Sequence, residues 1–72
     1  MSNEVWTEQD ALSLKQWREA MGLDTLGLAI QNALSHAQIQ QLENGGHTSF
    51  YSTAIKAQTG HRLLKKLQDK NA

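Results

Sequence analysis

Residues 23–45 read LDTLGLAIQNALSHAQIQQLENG, and the helix punctuation inside that run decides the fold. Asp24 carries a side-chain oxygen able to accept from the free N–H groups at a helix start, so a helix begins directly after it. Leu23 before it and Leu28 at the fourth helical position have the spacing of a hydrophobic staple. Ser35 opens a second helix, with Gln38 where a capping box takes Glu or Gln, and Leu34 and Ile39 repeat the staple. Ile39 and Leu42 form the inward pair of that helix. Asn44-Gly45 closes it with a residue free to take positive φ. Two capped helices therefore abut within a few residues around Ala33-Leu34, as a tight helix–turn–helix spanning 24–44.

The same grammar extends outward. Thr7 with Asp10 resembles a capping box in which aspartate stands for the usual glutamate. Leu14, Trp17 and Met21 then recur at three and four residues, one apolar stripe of a first helix. Gly22 suits the left-handed position after its end, and Leu23 can close back over it. Beyond a loop at GGHTS, the run FYSTAIKAQTGHRLLKKL (residues 50–67) reads as one broken helix or two. Ser52 caps the piece carrying Ile55, Gly60 interrupts it, and Leu63, Leu64 and Leu67 face inward from the last piece. Proline is absent and β-branched residues never alternate, so strands find no support. The expectation is one all-α domain over residues 1–72, a compact bundle of about five short helices. Residues 1–5 and 69–72 are expected to fray.

Composition narrows the chemistry. Seventy-two residues lie in a range where one core rarely supplies more than about 3–5 kcal/mol. With no cysteine, disulfides and thiolate metal sites are excluded. His36, His47 and His61 are too widely spaced for a local zinc motif, so neither metal nor cofactor is expected. No apolar run reaches the roughly 20 residues of a membrane span. The start MSNEVWTEQD lacks a basic region followed by an apolar one, so a soluble cytoplasmic protein is expected. Charge is zero overall yet uneven: −3 over residues 1–24 and +3 over residues 25–72. Catalysis finds no footing. Ser35 and His36 are neighbours on one helix without a nucleophile–base arrangement, and Gly45-Gly46 lack the spacing and lysine of a phosphate loop.

Residues 23–45 resemble, in register and without gaps, the helix-turn-helix of the Cro and phage-repressor (XRE-type) family, most specifically at IQQLENG. The preceding LKQWREAMGL resembles that family's first helix, so the likeness covers residues about 12–46. It implies a lambda-repressor-like bundle whose third helix enters the major groove of double-stranded DNA, as in small bacterial transcriptional regulators. Carried over position by position, Ser35 would cap the reading helix and touch a phosphate. His36 and Ala37 stand at the first base-reading positions and Gln41 at a third. A glutamine there can bond adenine N6 and N7, worth roughly 1–3 kcal/mol of discrimination. Gln38 belongs to the same amide-bearing side, and Gln40 and Asn44 fall at backbone-contact positions. The resemblance also implies a structural pair of Arg18 with Glu43.

Departures from that pattern are equally specific. Where the family has a phosphate-binding glutamine at the start of helix 2, this chain has Thr25. Leu26, Gly27 and Ile30 replace polar residues on helix 2, and Asn32 replaces an apolar one. Gly46, His47 and Thr48 stand where basic residues follow the turn. Because phosphate neutralisation supplies most DNA affinity, a homodimer that doubles the anchors is expected. A second, weaker resemblance is to the cytoplasmic helix-turn-helix domain of RodZ-type cytoskeletal adaptors, carried by Phe50-Tyr51 after the turn; it implies a protein partner instead. Leu26 and Ile30 have two readings: packed under the C-terminal helix, or buried by a second copy. Trp6 likewise packs on the first helix or covers a partner site.

Overall fold

The computed structural model describes residues 5–70. Four helices follow one another: α1 (Glu8–Ala20), α2 (Thr25–Gln31), α3 (His36–Asn44) and α4 (Thr53–Lys70), with no strand among the described residues. Each expected start is present. The Thr7 hydroxyl accepts the Asp10 N–H while the Asp10 carboxylate accepts the Thr7 N–H, and Ser35 and Gln38 do the same at α3. Asp24 accepts the Gly27 N–H at 2.7 Å. Ser52 accepts the Ile55 N–H at 3.1 Å and so caps α4.

The ends are as regular. Gly22 has φ +73°, and its N–H and that of Leu23 bond back to the carbonyls of Glu19 and Arg18, a Schellman close of α1. The same pair of bonds closes α2, from Ala33 to Ile30 and from Leu34 to Ala29. Here the left-handed residue is Ala33, at φ 56°. Asn32, polar at an apolar position of the resemblance, turns back to donate from Nδ2 to the Leu28 carbonyl at 2.9 Å.

The helix count differs from the expected five, because α4 runs unbroken through Gly60. A glycine in a helix costs about 1 kcal/mol against alanine, which is not enough to break one held by packing. Gly60 is buried in α4 because the Trp6 ring lies against it: a Cβ there would come within 2.6 Å of Trp6 Cε3. The glycine is a seat for an aromatic ring, not a stop. Trp6 thus packs on α4, and its indole N–H donates to the Leu42 carbonyl of α3 at 2.6 Å. That carbonyl is among the last four of α3, which have no partner inside the helix. Residues 69 and 70, expected to fray, are helical; residues 1–4, 71 and 72 lie outside the described part.

One cluster of Leu14, Leu28, Ala29, Ile39, Leu42, Phe50, Leu63, Leu64 and Leu67 joins all four helices. Trp17, Met21, Leu23 and Leu34 pack around it, so both staples and the α1 stripe reach the core as expected. No helix among the described residues is long and apolar enough to cross a membrane.

Candidate nucleic-acid interface

An ion pair ties the second helix of the helix–turn–helix to α1. Arg18 of α1 meets Glu43 of α3 through two parallel bonds, Nε to Oε2 at 2.7 Å and the second guanidinium nitrogen to Oε1 at 3.0 Å. The side chains are only 11% and 3% exposed. The remaining Arg18 nitrogen donates to the Leu23 carbonyl at 2.9 Å. The Glu43 hydrogen bond holds the Arg18 pKa above its ordinary value, outweighing burial. This arginine is therefore structural and presents no charge outward.

On the solvent side, α2 and α3 bring their first residues together. Thr25 Oγ1 and His36 Nε2 are 2.7 Å apart. His36, Ala37, Gln40 and Asn44 are exposed, and among the described residues the side chains of Gln40 and Asn44 have no hydrogen-bond partner. Ser35 is exposed too; its oxygen accepts from Gln38, which leaves its hydroxyl hydrogen free for an outside acceptor.

Gln38 and Gln41 are placed otherwise. Gln38 Oε1 accepts the Ser35 N–H, and its Nε2 donates to the Ser49 carbonyl at 3.3 Å. Gln41 Nε2 donates to Thr48 Oγ1 at 2.9 Å, and its Oε1 accepts the Ser49 N–H at 2.9 Å. Both amides are engaged by the loop that follows α3, so a base could reach Gln41 only after two internal bonds break. No local signal marks this, since the partners lie seven and eight residues on across a turn.

The cations are few and mostly turned elsewhere. No lysine or arginine occurs between Arg18 and Lys56. Lys56 donates to the Gly46 carbonyl at 2.6 Å, and burial pushes its pKa below the ordinary value. Arg62 and Lys66 line a shallow pocket with Asn32 and Leu34, beside the α2–α3 turn. A larger open groove of about 460 Å³ runs between α1 and the end of α3, with Trp6, Leu12, Lys15, Asn44 and Lys56 in its walls.

Two apolar residues of α2 are not under α4. Leu26 is 49% and Ile30 72% exposed, one helical turn apart on a helix without charge. Of the aromatic pair after the turn, Phe50 is buried in the core while Tyr51 is 98% exposed. Among the described residues no three His, Asp or Glu side chains converge as metal ligands. Comparison of the chain with protein-family models, curated proteins and solved structures returned no match.

Proposed function

We propose that the chain binds double-stranded DNA through the exposed start of α3, as a small regulator with His36 and Ala37 toward the bases. Ser35, Thr25, Gln40 and Asn44 serve the phosphates. The supporting observation is the pairing of a rigid support with an open face. α3 is fixed by its capping box, the Arg18–Glu43 pair and the Trp6 bond, while His36, Ala37 and Gln40 face solvent. A reading element must be held to a fraction of an ångström for base-edge bonds to discriminate. Gln38 and Gln41 act chiefly as the brace of the loop behind it. With few phosphate anchors, one copy binds weakly and two copies on adjacent half-sites bind usefully. Titration of the chain with mixed duplex at about 20–50 mM salt tests this: binding should appear and fall steeply as salt rises. Selection from a random duplex pool should then return a motif. No binding even at low salt refutes the reading.

A second reading has its own observation. Leu26 and Ile30 give α2 an uncovered, uncharged apolar face where a DNA-docking helix has polar residues. A protein-interaction module with this fold would use that face and ignore DNA. Leu26→Ser with Ile30→Ser separates the two. DNA binding by a single copy survives that change, and docking to a protein does not.

A further inference from the structure

We propose that binding of a polyanion to this face is proton-coupled, with His36 as the group that gains the charge and reorients the Thr25 hydroxyl. This rests on the DNA reading above.

The starting point is a shortage. A protein holds DNA by neutralising phosphates, and without cations the affinity has no source. From Glu19 through Ile55 the chain has no lysine or arginine. The nearest basic residues on either side are occupied, Arg18 by Glu43 and Lys56 by the Gly46 carbonyl. Positive charge on α2, α3 and the loop between α3 and α4 can come only from His36 and His47. Histidine is the side chain whose charge changes between about pH 5 and 8.

His36 differs from His47 in having a built partner. Its Nε2 is 2.7 Å from Thr25 Oγ1. With the neutral ring protonated at Nδ1, Thr25 donates its hydroxyl hydrogen to Nε2, and that hydrogen is lost to any ligand. With the neutral ring protonated at Nε2, Nδ1 is a bare acceptor and has no hydrogen to offer an acceptor atom of the DNA. Only the imidazolium resolves both. Nε2–H then donates to Thr25, the hydroxyl hydrogen is released, and Nδ1–H becomes a second donor beside a full positive charge. One added proton thus converts the contact between α2 and α3 into a two-donor cationic site.

Of the charged groups around this contact, Arg62 and Lys66 of α4 line the pocket with Asn32 and Leu34 beside the α2–α3 turn, and the proton on His36 adds to their charge. From α2, Asp24 is engaged with the Gly27 N–H. Between α1 and α3, the Arg18–Glu43 pair neutralises itself. From α4, Lys56 is bonded at the opposite end of α3, and His47 follows that same end. His61 pairs with Asp10 of α1 and lies tilted against the Trp6 ring.

One further positive charge brought to the DNA at about 0.1 M salt corresponds to roughly five- to tenfold in affinity. The experiment uses the full chain and a mixed duplex of about 25 base pairs at about 50 mM salt, near pH 6 and near pH 8. Wild type, His36→Gln and His47→Gln are compared, with circular dichroism to confirm that each is folded at both pH values. The expected result is wild-type binding about five- to tenfold tighter near pH 6, with a salt slope steeper by about one. His36→Gln should lose most of that difference, and His47→Gln should keep it. Equal wild-type binding at the two pH values, or a pH effect retained in His36→Gln, overturns the inference while leaving DNA binding standing. Absence of binding at either pH overturns both.

Discussion

Gly60→Ala should destabilise the protein, although the same change in an ordinary helix stabilises it. In an exposed helix interior, alanine is favoured over glycine by about 1 kcal/mol. At position 60 the new methyl would lie 2.6 Å from Trp6 Cε3 and 2.8 Å from Cη2, so the ring must move. Overpacking of this kind costs typically about 1–3 kcal/mol. A displaced ring also loses the 2.6 Å bond to the Leu42 carbonyl, and a part-buried acceptor left alone costs about another 1–3 kcal/mol. Set against the helix gain, the net loss is about 1–5 kcal/mol, a large share of what a core this size supplies. Urea unfolding followed by circular dichroism measures it in wild type and in Trp6→Ala. With the ring gone, Gly60→Ala should become stabilising by about 0.5–1 kcal/mol. The reversal of sign is the signature, a coupling between two sites 54 residues apart in sequence. If Gly60→Ala stabilises wild type as much as it stabilises Trp6→Ala, Trp6 is not seated on α4 and the account of the unbroken helix fails.

Other perturbations bear on the parts that hold α3 in place. Glu43→Gln leaves the Arg18 charge buried without its partner and should cost about 3 kcal/mol, whereas Arg18→Met with Glu43→Leu should cost less than either single change; denaturation midpoints of the four proteins decide it. Ala33→Gly relieves a left-handed alanine at φ 56° and should stabilise by about 0.5–1 kcal/mol after the added chain entropy, read as a raised melting temperature. Gln41→Ala removes two bonds to the loop and should cost about 1–2 kcal/mol of stability; unchanged stability with altered operator preference would return Gln41 to the reading face. Burial pushes the Asp10 pKa up, but bonds from the Thr7 N–H, His61 and the Thr7 hydroxyl together bring it below the ordinary carboxylate value. Its contribution is thus complete above about pH 4 and is lost as pH falls through the lower folded value, so Asp10→Asn should flatten the acid limb of a stability–pH curve.

What could be read without coordinates was what neighbouring residues decide among themselves. Thr7 with Asp10, Asp24 with Gly27, Ser35 with Gln38 and Ser52 with Ile55 are all bonded three residues apart, and each helix start followed from that spacing. The left-handed Gly22 and the staples were legible for the same reason. Arg18 with Glu43 lies 25 residues apart and became visible only through a family resemblance.

Three matters needed the folded chain. Gly60 had every local mark of a helix break, and only the arrival of Trp6 turned it into a packing seat. Gln41 had the type and position of a base reader, and only the return of residues 48 and 49 over α3 bound its amide. Leu26 and Ile30 looked equally fit for the core and for an interface, and the path of α4 left them in water. Caps and turns are settled by bonds a few ångströms and a few residues long, so the chain by itself determined where helices begin. Which face each helix keeps for a partner depends on contacts between segments distant in sequence, and those exist only once the core has closed.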